Sequence, residues 1–345
     1  MKDFFKQLIA EHGPLPIDRY MALCLGHPMF GYYMTRDPLG AAGDFTTSPE
    51  ISQVFGELLG VWCVAAWEAV GQPSPFALVE LGPGRGTLMA DILRATAGMK
   101  EFREAAQIHL VEMSPVLRDI QQEKLGPEVT WHLAIDSLPE QPMIFVANEF
   151  FDALPVRQLV KRAGAWTERH VVVEQGDLAL GEIPTPGVPA KADGLYEISP
   201  ISFAIAEELG ARLKALGGAG LIIDYGHLKS AAGDTLQALK AHKPCGILDY
   251  PGSSDLTAHV DFEALAHGFA AGGAEALSPM TQGKFLKAMG IDMRLQKLTQ
   301  KLKGAEAQEF VAGATRLVDD AQMGQLFMVM GVVQAAHAPL YPFEV

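Results

Sequence analysis

The chain has 345 residues, 49% of them hydrophobic, and 41 acidic residues outweigh 27 basic ones to give a formal net charge of −14. This length and apolar share predict one large α/β domain with additions, or two domains, and exclude a disordered chain. The acidic balance, with no Lys/Arg run, excludes a general nucleic-acid binder, which needs a basic surface.

Residues 2–12 and 16–26 read as two short helices split by Gly13-Pro14-Leu15-Pro16. The opening Met1-Lys2-Asp3-Phe4-Phe5-Lys6 has the pattern of neither a secretory signal nor an organelle transit peptide. Cys24, Cys63 and Cys245 are scattered and odd in number, which fits a reducing compartment rather than a disulfide framework. A reducing compartment such as the cytoplasm is therefore expected. A Gly/Pro-rich segment runs to Pro49, and a longer helix covers about 50–70. Ser48 is the expected N-cap, with Pro49 at the first helical position. The hydrogen-bonding groups ahead of this helix make Asp44 and Glu50 candidate substrate contacts. Its apolar run, 58–70, is interrupted by Glu68 and is too short to span a membrane.

Gln72-Pro73-Ser74-Pro75 ends this helical region (1–75), and a core of alternating strands and helices follows over 76–345. Leu78-Val79-Glu80-Leu81 reads as a buried parallel strand, Gly82-Pro83-Gly84-Arg85-Gly86 as a tight turn, and Thr87 as a helix start. Such a turn lets backbone approach a ligand and aims free N–H groups at it. The dinucleotide fingerprint would need a third glycine where Thr87 stands, and no phosphate-loop lysine is present. Glu80 suits a ligand with an amino group. These features point to S-adenosylmethionine, held by Glu80, Gly82, Gly84 and Gly86.

Ile108 to Glu112 reads as the second strand, with Glu112 at its tip placed for ribose hydroxyls. Leu133 to Ser137 reads as the third strand and its exit loop, where Asp136 would meet the adenine. Met143 to Ala147 is the fourth strand. It leads into Asn148-Glu149-Phe150-Phe151-Asp152, beside the expected methyl donor. A guanidinium keeps its proton to a pKa above about 12, so methylating one calls for charge neutralisation and proton removal. Asn148, Glu149 and Asp152 are the catalytic candidates, and Phe151 is a candidate aromatic wall for a flat group.

Strand-like runs at 156–160, 167–173 and 178–180 predict an inserted β-meander over about 156–183, ahead of a Pro-rich linker. The core resumes with a helix at 200–216 and a strand at 220–224. A second insertion, a helical cap over about 227–320, holds helices near 261–271 and 283–318, and 325–334 is the last strand. Asp255, His259 and Asp261 lie in that insertion. They read as ordinary loop and capping residues, and no metal site is expected. Metalloprotease, zinc-finger and nucleophile-elbow spacings are absent from the sequence.

Six segments stand together in a recognisable order: Pro28 to Tyr33, Gly43 to Leu58, Glu80 to Leu88, Asn148 to Val156, Asp224-Tyr225-Gly226 and Asp255 to Phe262. In them the chain resembles the MidA-like class I methyltransferases, a family that includes a mitochondrial assembly methyltransferase of respiratory complex I. The resemblance runs from about 13 to 335. It implies an α/β, Rossmann-like fold with a seven-stranded sheet, S-adenosyl-L-methionine as cofactor, and arginine N-methylation of a protein partner such as a complex I subunit. Glu80 and the three glycines would hold the methionine part and Glu112 the ribose. A noncatalytic S-adenosylmethionine-binding assembly factor and a small-molecule methyltransferase are the alternatives.

Overall fold

The computed structural model describes residues 1–37, 46–188, 192–300, 303–335 and 340–343. Its central sheet contains β1 (Phe76–Leu81), β2 (Ala106–Val111), β3 (Val129–His132), β4 (Met143–Asn148), β5 (Gly218–His227), β6 (Ala274–Ala276) and β7 (Phe327–Gln334). Their spatial order is β6-β7-β5-β4-β1-β2-β3, the expected seven-stranded path, with two-residue strands Val260–Asp261 and Met280–Thr281 added alongside. β1 to β5 run parallel, and β7 is antiparallel to both β5 and β6. Leu81 pairs with Val111 and Ala147, and Ile223 with Asn148, so four strand ends emerge at one edge. Strand order reverses between β1 and β4, the crevice where open parallel sheets bind ligands.

All six residues of β1 and all six of β4 are buried, so their apolar runs are continuous rather than alternating. One face is covered by helices Gln53–Ala69 and Thr87–Ala95, through Phe55, Leu59, Trp62, Met89 and Ile92. The other is covered by helices Pro200–Leu216 and Phe262–Gly272, through Ala206, Leu209, Leu265 and Phe269. These two helices approach at glycines: a Cβ on Gly272 would stand 2.1 Å from the Glu207 carbonyl oxygen, and one on Gly210 2.6 Å from that of Phe269.

A third cluster joins helices Lys2–His12 and Ile17–Gly26 to the inserted meander, with Phe5, Ile17 and Tyr20 packed with Val156 and Val171. In the meander, Ala165–Glu174 pairs with Arg157–Arg162 and Asp177–Pro184, and Leu15–Pro16 joins it opposite Val171 and His170. Gly194–Ile198 adds a strand beyond the expected insertion.

Several boundaries differ from expectation. The third strand is Val129–His132, and Leu133 to Ser137 is its exit, ending in the short 3-10 turn Ile135–Ser137. Thr47 rather than Ser48 precedes the four-residue helix Ser48–Ile51, and Ser52 caps the long helix by accepting from the Val54 N–H. Part of 227–320 belongs to the central sheet, because β6 is its edge strand. Helical structure over 283–318 is divided into Gln282–Ala288, Ile291–Thr299 and Gly304–Val318, with Gly290 left-handed at the first break. Asp261 caps its helix as expected, accepting from the Ala264 N–H at 3.0 Å.

Candidate active site

A cavity of about 1030 Å³ opens at the C-terminal ends of β1, β2, β4 and β5. The turn after β1 holds Gly82, Gly84 and Gly86 at φ 63°, 53° and 73°, a conformation that L side chains rarely adopt. A Cβ on Gly82 would meet the Phe150 ring at 2.9 Å. Gly82 and Gly84 line the cavity. Gly86 lies behind it, where a Cβ would press on Leu125 and Gln121, so it serves turn and helix packing rather than direct ligand contact.

Glu80 lines the cavity and is buried, with its Oε2 partnerless among the described residues. Burial pushes its carboxyl up to about 8. Glu112 follows β2. Its Oε1 accepts from the Ser114 N–H at 2.7 Å and its Oε2 from Gln121 Nε2 at 3.2 Å, while burial lifts it to about 7. Gln121 also donates to the Gly84 carbonyl at 2.7 Å and accepts from Trp131 Nε1 at 2.8 Å. It thereby ties the glycine turn to the second-strand acid, a role that no local pattern around it suggested. Asp136 lines the cavity beyond them, and its carbonyl accepts from Arg212 at 3.0 Å. An unpartnered buried carboxylate oxygen beside a glycine cradle fits a cationic amino group, and two further acids at successive strand ends fit a nucleoside. These residues suit S-adenosylmethionine.

Beyond Asn148 the chain turns sharply at Glu149, whose φ of 50° is unusual for a residue with a Cβ. Glu149 Oε1 accepts from the Ser48 N–H at 3.0 Å and from Asn148 Nδ2 at 3.1 Å, and burial raises its carboxyl to about 7. Asn148 Oδ1 and Asp152 Oδ1 are buried with no partner among the described residues. Burial pushes the Asp152 carboxyl up, while the neighbouring Tyr225 hydroxyl pulls it down. Asp224 is fully buried beneath this loop. Its Oδ2 accepts from the N–H groups of Phe151 at 3.0 Å and Asp152 at 3.2 Å. The loop's backbone is thus held by a carboxylate from the next strand.

Two residues of the second insertion face the same space. Asp255 is buried, lines the cavity and accepts from the Tyr33 hydroxyl at 2.9 Å. His259 lines it with its ring edge-on to Tyr225, centroids 5.6 Å apart. Both were expected to be ordinary loop residues. Asp261 is not among the lining residues and pairs with His227 at 3.7 Å. Among the described residues no group of three or more His, Cys, Asp or Glu is placed to hold a metal ion.

The expected substrate contacts fare unevenly. Asp44 lies outside the described residues. Glu50 lines the cavity, but its carboxylate accepts from the Thr87 hydroxyl and faces Arg85 at 3.8 Å, linking helix Ser48–Ile51 to the glycine turn. Phe151 is not a cavity wall: it is 3% exposed and packs in the core under the sheet, and Phe150 lines the cavity instead. Tyr33 and Tyr225 are lining residues that were read only as parts of longer motifs.

Comparisons with known proteins agree with this geometry. Residues 58–280 match the family described as "Putative S-adenosyl-L-methionine-dependent methyltransferase". The chain is 38% identical over 361 residues to "Protein arginine methyltransferase NDUFAF7, mitochondrial" of Xenopus tropicalis, covering 94% of this chain and 84% of that protein. The Homo sapiens protein of the same name is 37% identical, with 92% and 80% covered. Among solved structures, a "likely methyl transferase from Burkholderia thailandensis bound to S-adenosyl-homocysteine" superposes with a TM-score of 0.83 at 29% identity, covering 98% of this chain and 93% of that one. The chain belongs to the S-adenosyl-L-methionine-dependent methyltransferases.

Proposed function

We propose that this enzyme methylates arginine side chains of a protein, with the donor at Glu80, Gly82, Gly84, Glu112 and Asp136. The carrying observation is the bay of buried carboxylates, Glu149, Asp152 and Asp255, on the same cavity as the glycine turn. When bound, the donor supplies an electrophilic methyl group on a sulfonium sulfur. Asp152 and Asp255 provide the negative charge that draws in and orients a planar guanidinium. Asn148 Oδ1 offers a further acceptor for its N–H groups. Glu149, anchored through one oxygen by two donors, takes the proton that the nitrogen sheds on methylation. Burial of all three acids removes competing water and strengthens each of these interactions.

The relatives named protein arginine methyltransferases support this acceptor. Resemblance to the MidA-like family makes a respiratory complex I subunit the first protein to try. Three scattered cysteines, none in a disulfide among the described residues and two of them buried, support a reducing compartment such as the cytoplasm, and no helix among the described residues is long and apolar enough to cross a membrane. The test is mass spectrometry of paired peptides that differ only in arginine or lysine at one position, incubated with enzyme and donor. Methyl groups on arginine alone support the reading. Methylation of lysine, or of neither, refutes it.

A further inference from the structure

The cavity that holds the carboxylate bay is also lined by a short helix and an exposed arginine. Tyr225, beside Asp152, packs edge-on against Phe327 with ring centroids 5.4 Å apart. Phe327 follows the short helix Met323–Leu326, and Leu326, also on the cavity, is 50% exposed. Arg316, near the C-terminal end of helix Gly304–Val318, is exposed and lines the cavity as well. Among the described residues two arginines line this space. Arg85 is spent on Asp37 at 2.9 Å and Glu50 at 3.8 Å, whereas Arg316 has no ion pair among the described residues. A helix C-terminus favours a cation, yet that leaves the planar fork of the guanidinium unused.

An acidic bay, an exposed leucine and a guanidinium with no ion pair among the described residues face one cavity, the last two from helices that pack on each other. We infer that Leu326 and Arg316 select the acceptor, receiving an apolar side chain beside the target arginine and a carboxylate beyond it. This rests on the arginine-methylation reading and assigns its sequence context. A polybasic segment would set its neighbouring charges against Arg316, and a glycine-flanked arginine would leave Leu326 uncovered. Charge complementarity therefore runs in both directions: protein carboxylates on the arginine, Arg316 on an acid of the same segment.

The test uses single-arginine peptides with leucine beside the arginine and glutamate at successive positions, against matched peptides carrying lysine or only glycine. Both kcat/KM and binding in the presence of S-adenosylhomocysteine are measured. The best glutamate peptide is expected to exceed its lysine counterpart by roughly threefold, the scale of one exposed ion pair. Arg316→Glu is expected to reverse that order, and Leu326→Asp to erase the leucine preference. Affinity for S-adenosylhomocysteine checks that each variant is folded. A wild-type preference for lysine or glycine contexts, or an Arg316→Glu ranking like that of wild type, overturns the inference. If no peptide is methylated but the glutamate peptides still bind selectively through Arg316, the acceptor surface stands and the arginine-transfer reading fails.

Discussion

Glu80 keeps an unpartnered oxygen buried beside a turn shaped to admit a ligand, and its carboxyl is raised by burial from 4.5 to about 8. The folded protein therefore holds a proton there that the unfolded chain releases once pH exceeds about 4.5. Stability from this group is fully present below the unfolded value and is lost as pH rises through about 8. A cationic donor amine reverses the preference and expels the proton. Donor affinity should therefore tighten between about pH 6 and pH 8, with proton release visible in calorimetry across buffers of different ionisation enthalpy. Glu80→Gln should lose both the affinity and the proton release, and an unchanged pH profile would remove Glu80 from the donor site. Glu149, raised to about 7, predicts a kcat that increases with pH through that value. Glu149→Gln should lower kcat by about 100-fold or more, as for loss of a general base. A loss of only a few-fold would shift proton removal to Asp152. The place of these acids on the cavity was legible in the sequence because each lies near the C-terminal end of an apolar strand. Phe151 was not, because adjacent loop aromatics give no sign of which one turns inward.

At the scale of elements, the strongly apolar strands were readable and the short ones were not. β1 and β4 are buried throughout and look it. β6 has three residues, Ala274-Glu275-Ala276, and becomes a strand only by pairing with Val332 to Gln334 of β7. No propensity or alternation in so short a run marks it. The third strand was misplaced because Leu133-Ala134-Ile135 is as apolar as Val129-Thr130-Trp131, and pairing with Ile108 to Val111 of β2 decides between them. Helix contacts were equally hidden, since Gly210 and Gly272 resemble any helical glycines until the partner backbone is present. Gly272→Ala should destabilise the fold by about 1–3 kcal/mol, because the new Cβ meets backbone rather than a yielding side chain. A melting temperature equal to that of wild type would show that the two helices separate freely.

Across the whole molecule, the carboxylate bay depends on segments far apart in the chain, and Tyr33 joins three of them. Its hydroxyl donates to Asp255 in the second insertion, and its carbonyl accepts from the Ser114 hydroxyl beside the second-strand acid. Tyr33 itself follows the N-terminal helices that pack on the meander. The main-chain N–H of Ala258 donates to the Asp152 carbonyl at 3.0 Å, closing the link between the insertion and the loop after β4. If the bay holds the acceptor, acceptor binding should therefore respond to the N-terminal region although the glycine turn lies elsewhere. Tyr33→Phe keeps the ring and its packing but deprives buried Asp255 of one donor, a loss of about 1–3 kcal/mol for a buried polar group. If Asp255 orients the guanidinium, KM for an arginine peptide should rise by about tenfold, since 1.4 kcal/mol is one decade. The affinity for S-adenosylhomocysteine should change little. Equal weakening of both ligands would mean that Tyr33 supports the whole cavity rather than its acceptor half. An unchanged KM would separate Asp255 from the acceptor and leave Glu149 and Asp152 as the receiving pair.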